Sequence, residues 1–113
     1  MADLAAKLQT KGAPLEMLSR PLEVAEGLDG TGGGDAGLLA FVRDAATLDV
    51  HRAAIVAAAS RDRLTWVAYP KSGQLSTDLN RDRLAASLRA DGLRPVRQVA
   101  IDEVWSALRF RPA

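Results

Sequence analysis

Apolar runs and helically spaced apolar positions alternate along the last two thirds of the chain. Two continuous apolar runs, at 37–42 and 64–69, are typical of strands buried on both faces of a sheet. The segment between them predicts a helix at 46–59. The apolar face of that helix consists of Leu48, Ile55 and Ala59. The run at 64–69 is rich in aromatic and branched residues, so it is the best candidate for the central strand.

The carboxyl-terminal part of the chain predicts a helix followed by a β-hairpin. Asp78 or Asn80 is suited to cap a helix that runs to about residue 91, and Gly92 is suited to stop it. Two apolar-rich segments, at 96–101 and 104–110, then predict strands joined by a tight turn.

The amino-terminal third has a weaker pattern. It predicts a short helix at 2–9 and a short strand at 14–18, and the segment 21–27 suits a helix or a strand. The glycine-rich stretch at 27–36 precedes a strand and lacks the glycine spacing of phosphate-binding loops. We therefore interpret it as a flexible connection.

The order of these elements predicts the fold class. Strands alternate with helices before the final hairpin, which indicates an α/β three-layer sandwich with a mainly parallel sheet of about five strands. The 113 residues fit a single domain, 1–113.

The amino-acid composition excludes several kinds of functional site. The chain has no cysteine and one histidine, which excludes disulfides, thiolate chemistry, Cys-based zinc sites and, in a monomer, an all-histidine metal site. The lone His51 falls at the border of the apolar helix face, as a half-buried structural residue would. The formal net charge of +1 provides no global field for nucleic acid or anionic membranes. No metal or cofactor is predicted.

Nothing in the sequence predicts a membrane or export segment. The charged residues Asp3 and Lys7 lie in the first segment, which argues against a secretory signal. No apolar run approaches the roughly 20 residues that are needed to span a bilayer. We expect a cytoplasmic protein with no membrane partner.

Three motifs in the second half of the chain carry a family resemblance. They are WVAYPK at 66–71, TDL at 77–79 and DExWSxLRF at 102–110. Together they resemble the bacterial domain-of-unknown-function family numbered three thousand and fifty-two, over about residues 38–110. The resemblance implies a fold and a set of shared residues without an assigned reaction. The shared core positions are Trp66, Pro70, Trp105 and Phe110.

The predicted arrangement is also similar, at the level of fold, to the carboxyl half of a Rossmann-like methyltransferase. In such enzymes the sheet ends in a helix and an antiparallel hairpin inserted beside the preceding strands. Their glycine-rich turn after the first strand and acidic residue after the second are not found here. The similarity implies a truncated or degenerate version.

Polar residues follow the predicted strands at the edge where parallel α/β sheets bind ligands. We hypothesise that Lys71 and Arg43 bind an anion and that Asp78 or the turn carboxylates receive its hydroxyl groups. The candidate ligand-binding residues are Arg43, Asp44, Lys71, Thr77, Asp78, Asp102 and Glu103. No catalytic residue is predicted.

A structural role for the same residues is the competing interpretation. Asp78 and Asp44 are good helix caps, and Lys71 can pair with Asp102 or Glu103 across the loop. Trp66, Trp105 and Phe110 are expected in the core rather than on a stacking surface.

Several functions remain open at this point. The leading hypothesis is a non-enzymatic module that binds a small anionic ligand or a protein partner at the sheet edge. One alternative is a degenerate S-adenosylmethionine-dependent methyltransferase-like enzyme. Nucleic-acid binding through the arginines of the hairpin is disfavoured, because the acidic turn opposes it. A homodimer through an exposed edge strand is a further alternative.

Overall fold

Five strands and two helices make up the part of the chain that the structure describes. The computed structural model describes residues 15–19, 37–71, 77–101 and 103–113. The strands are β1 (Leu15–Leu18), β2 (Gly37–Phe41), β3 (Leu64–Pro70), β4 (Leu93–Ala100) and β5 (Trp105–Pro112), and the helices are α1 (Ala45–Ser60) and α2 (Arg81–Arg89).

Every element predicted within the described ranges is present, and its bounds differ from the predicted ones by a few residues at most. The strand predicted at 14–18 is β1, and the hairpin strands are longer at both outer ends than predicted. The predicted helix at 2–9, the undecided segment at 21–27 and the predicted loop at 27–36 lie outside the described residues.

The sheet is a mixed one with the order β1-β2-β3-β5-β4. β1, β2 and β3 pair in parallel, whereas β5 is antiparallel to both of its neighbours, β3 and β4. β3 is the central strand, as predicted. Four of the five strands therefore run in the same direction, which confirms the prediction of a mainly parallel sheet that ends in an antiparallel hairpin. The sequence did not indicate that the return strand β5 would lie between β3 and β4, which makes two of the four pairings antiparallel.

Local sequence signals begin and end the two helices. The Asp44 carboxylate accepts a hydrogen bond from the Thr47 amide at the start of α1. Asn80, rather than Asp78, caps α2 by accepting from the Arg83 amide. Gly92 follows α2 with a φ of 88°, a conformation that glycine adopts without strain.

Both helices pack on one face of the sheet, which we call the helix face. Its core joins side chains of the three middle strands to Leu48 and Ile55 of α1 and to Leu84 and Leu88 of α2. Alternate residues of the same strands point to the opposite face, where they are also buried. That second core contains Leu39, Phe41, Trp66, Ala68, Trp105 and Ala107.

Burial on both faces explains the continuous apolar runs of β2 and β3. Trp66, Trp105 and Phe110 are core residues, as predicted. The ring of Trp105 meets that of Phe41 edge-on, with centroids 5.3 Å apart. Of the predicted three layers, the described ranges supply the sheet and one layer of helices.

Arg52 of α1 holds the two helices together. Its guanidinium donates to Asp49 on the same helix, to the Ser87 hydroxyl of α2 at 2.8 Å, and to Asp91 just beyond α2. The hydrogen bonds that Arg52 donates to the carboxylates of Asp49 and Asp91 raise its pKa. α2 is therefore fixed against α1 at its carboxyl end. Neither described helix is long and apolar enough to cross a membrane.

Candidate functional site

The turn of the hairpin lies at the same edge of the sheet as the carboxyl ends of β2 and β3. Pro70, the last residue of β3, pairs with Trp105, the first residue of β5. The Lys71 amide donates to the Val104 carbonyl at 2.7 Å, directly beside the turn. β4 runs in the same direction as β3, because β5 is antiparallel to both. The predicted site segments therefore lie at one edge of the sheet.

Two of the candidate carboxylates meet at the amino terminus of α1. Asp44 accepts from the amide and the hydroxyl of Thr47, both at 2.8 Å. Asp78, from the loop before α2, accepts from the Ala45 amide at 2.9 Å. The hydrogen bonds from Thr47 lower the pKa of Asp44, with Arg43 adding a smaller effect in the same direction. Both carboxylates therefore serve as helix caps here.

The other candidates are spread along the same edge. Arg43 is exposed between β2 and α1, and Glu103 is exposed in the hairpin turn. The Thr77 hydroxyl accepts from the Leu79 amide at 3.0 Å, which orders the loop that carries Asp78. Asp102 lies outside the described residues. Their role in ligand binding stays a prediction.

Lys71 alone among the described candidates lines a cleft on the helix face at this edge. The cleft has a volume of about 430 Å³, which falls within the range typical of small-molecule sites. Its lining residues are Tyr69, Lys71, Asn80, Arg81, Asp82, Gln98 and Ser106.

Three neighbouring strands provide the polar floor of this cleft. Tyr69 of β3 and Ser106 of β5 are register partners, so their side chains stand side by side on the helix face. The Gln98 amide of β4 donates to the Tyr69 hydroxyl oxygen at 3.2 Å. Burial raises the pKa of Tyr69, although a hydrogen bond with Ser106 and the nearby charge of Arg81 oppose this. The phenol is therefore neutral at neutral pH and keeps a proton to donate.

The first turn of α2 forms the wall of the cleft. Asn80 caps the helix, and Arg81 and Asp82 follow as its first two residues. Together with Lys71, the first turn lines the cleft with two cationic side chains and one carboxylate. The partial positive charge of the helix amino terminus adds to this cationic character. The arrangement suits a ligand with one anionic group and further polar groups.

Sequence reasoning missed six of the seven lining residues, for different reasons. Tyr69 belongs to an apolar run, and the sequence signal for a place in a site is that its hydroxyl-bearing side chain ends the predicted strand at 64–69. Arg81 and Asp82 directly follow the predicted cap, so the rule that helix amino termini face the ligand edge could have indicated them. Nothing in the sequence indicated that Gln98 and Ser106 would lie beside Tyr69.

Metal binding has no support in the described ranges, where no group of three His, Asp or Glu side chains is suitably placed. His51 is half-buried on α1, as predicted, and its Nε2 lies 2.8 Å from the Ser19 hydroxyl after β1. This contact links α1 to the end of the edge strand. Comparison of the chain with protein-family models, with curated proteins and with solved structures finds no match.

Proposed function

We propose that this protein is a non-enzymatic binding module that takes a small anionic, hydroxyl-bearing ligand into the cleft beside α2. The observation that carries the proposal is the convergence of Tyr69, Gln98 and Ser106, from three adjacent strands, on one cleft with Lys71 and Arg81. Pockets that combine a concave shape with a few convergent polar groups are the usual location of ligand sites in such sheets.

Different lining residues are suited to bind different groups of the ligand. Lys71 and Arg81 receive the anionic group, and the first turn of α2 supports it electrostatically. The hydroxyls of Tyr69 and Ser106 bond its polar groups, and Asp82 accepts from its hydroxyls. This assignment replaces Asp78 as the hydroxyl acceptor, since one of its oxygens already receives the Ala45 amide.

Truncation of Lys71 provides the test. A thermal-shift screen of small hydroxylated anions, from citrate to sugar phosphates, is expected to yield ligands that raise the unfolding temperature. Calorimetry should then show that Lys71→Ala weakens binding at least about tenfold, which corresponds to roughly 1.4 kcal/mol. The unfolding temperature of the free variant should match that of the wild type, because the lysine side chain is only partly buried.

The matched control is Arg89→Ala. Arg89 is exposed in the last turn of α2 and does not line the cleft, so its removal changes the net charge equally without touching the site. If both variants weakened ligand binding equally, the loss of affinity would be caused by the change in overall charge, and the cleft would not be the site. Compared with the wild type, a Tyr69→Phe variant should bind more weakly only those ligands that have a free hydroxyl or carboxylate to bond the phenol.

A degenerate methyltransferase-like enzyme is the second candidate. The insertion of an antiparallel β5 between β3 and β4 favours it, because that order corresponds to the carboxyl half of Rossmann-like methyltransferases. The residues fit the cofactor poorly. β1 is followed by Ser19 rather than a glycine-rich turn, and the Asp78 carboxylate caps α1. We therefore derive no reaction step for it.

Titration calorimetry with S-adenosylmethionine separates the two functions. The methyltransferase-like candidate requires heat of binding at high protein concentration, with competition by S-adenosylhomocysteine. The binding-module proposal expects no such heat. A signal that survives in Lys71→Ala would favour the enzyme and place its cofactor away from the cleft.

A further inference from the structure

Four arginines share the opposite face of the sheet at the end of the hairpin strands. Arg109 pairs with Trp66, whose ring belongs to the opposite-face core, and directly paired residues point to the same face. Arg111 follows two positions later on β5 and therefore also points there. Across the hairpin, Arg97 is the register partner of Arg109, and Arg94 is the partner of Arg111. We call these four residues the arginine patch.

A β-bulge creates this alignment. Between Pro95 and Arg97 the register of β4 shifts by one residue, which leaves Val96 as the extra residue. In a regular strand, Arg94 and Arg97 would point to opposite faces, because side chains alternate. The bulge instead brings both onto the face that Arg109 and Arg111 occupy.

Two of the four arginines, Arg94 and Arg97, supply the open positive charge of the patch. Asp62 binds Arg111 through two hydrogen bonds of 2.9 Å each, and this contact lowers the pKa of Asp62. Arg94 and Arg97 are exposed, and no salt bridge to either is found within the described part of the chain. Like charges directly across a β ladder destabilise it. An anionic partner at the exposed members, Arg94 and Arg97, would offset this repulsion across the hairpin.

The acidic turn of the hairpin does not neutralise the patch. Glu103 lies at the opposite end of the ribbon, beyond Trp105, which is four residues from Arg109. At the rise of an antiparallel strand, this separation is about 14 Å. It exceeds the Debye length of about 8 Å at physiological salt. Glu103 in the turn therefore does not oppose the binding of a phosphate at the patch.

We propose that the arginine patch binds the phosphate backbone of duplex nucleic acid without sequence preference. Guanidinium groups match phosphate oxygens in a bidentate geometry. Arg94 and Arg97 are exposed on one face of a rigid ribbon, which suits a polymer with regularly repeated anions. The aromatic residues of this face, Trp66 and Trp105, are buried, so single-stranded bases find no stacking surface there. The patch is separate from the cleft, which lies on the helix face.

Fluorescence anisotropy with a labelled duplex of about 20 base pairs tests this proposal. The wild-type protein is expected to bind with a dissociation constant in the micromolar range at about 50 mM salt and more weakly at about 200 mM. The double variant Arg94→Ala/Arg97→Ala should bind at least about tenfold more weakly. The slope of log affinity against log salt should fall by about two units, one for each phosphate that the variant no longer neutralises.

The matched control is Arg83→Ala/Arg89→Ala, which removes two exposed positive charges from α2 on the helix face. It should stay within about twofold of the wild type, since neither residue belongs to the patch. Arg94→Lys/Arg97→Lys keeps the charge and should retain the salt slope while losing part of the affinity. Circular dichroism melting of each variant checks that the fold is intact.

Three results would overturn the proposal. One is no anisotropy change with about 100 µM protein at about 50 mM salt, since non-specific dissociation constants lie at about 1–100 µM at physiological salt and are lower at this salt concentration. Another is an equal loss of affinity in the patch variant and the control. The third is tighter binding to a single strand, or to phosphatidylserine vesicles at the same phosphate concentration, which would assign the patch to a different partner.

Discussion

Gly37→Ala is expected to lower the free energy of unfolding by about 3–5 kcal/mol. Gly37 begins β2 with a φ of 149°, where a residue with a Cβ is strained by about 1–3 kcal/mol. A Cβ built at this position would lie 1.7 Å from the Leu64 carbonyl oxygen. Because that atom belongs to the backbone of β3, the two strands must move apart, which adds a cost comparable to overpacking of a core.

Urea unfolding at neutral pH measures this loss as a shift of the transition midpoint. Gly92→Ala is the matched control, because Gly92 also has a positive φ, of 88°, but its added Cβ would meet no atom within 4 Å. The control should lose only about 1 kcal/mol. Similar losses for both variants would mean that the close approach of β2 and β3 adds nothing to the conformational strain.

Trp66→Ala is expected to cost about 3–5 kcal/mol of unfolding free energy. Trp66 lies in the middle of the central strand and is 0 % exposed. Its indole belongs to the opposite-face core with Phe41 and Trp105. Truncation leaves a large apolar cavity in this core, and β3 can move little to fill it because its backbone is paired with β2 and β5.

Chemical denaturation with near-ultraviolet circular dichroism checks this prediction, with Val50→Ala as the control. Val50 is 76 % exposed on α1, so its truncation should change stability by no more than about 0.5 kcal/mol. If Trp66→Ala lost no more than that control, the opposite face would contribute little to stability, and the arginine patch on that face would lack a rigid base.

Most of the secondary structure between residues 37 and 112 could be predicted from the sequence. The apolar runs of β2 and β3 indicate strands buried on both faces, and the Asp44 cap, the Asn80 cap and Gly92 are local signals. Each of these depends on residues a few positions apart. The strand directions followed from the order of elements, because βαβ units run in parallel.

The candidate site was predicted less completely. The expected edge of the sheet is where Lys71 and the hairpin turn lie, and the cleft lies there too. The expected carboxylate Asp78 instead bonds the first amide of α1, which is a long-range contact. Helix-capping rules apply within one helix and do not indicate that a residue 33 positions away will cap it.

By itself the sequence determined which segments form strands and helices, where the helices begin and end, and which side chains enter a core. Those properties arise from local propensity and periodicity. Only the tertiary structure decided that β5 lies between β3 and β4 and that a bulge at Val96 resets the alternation of β4. The position of β5 sets Ser106 beside Tyr69, and the bulge brings Gln98 to the same face and Arg97 to the other. Both depend on pairing between strands distant along the chain, whose register is fixed by packing on both faces of the sheet.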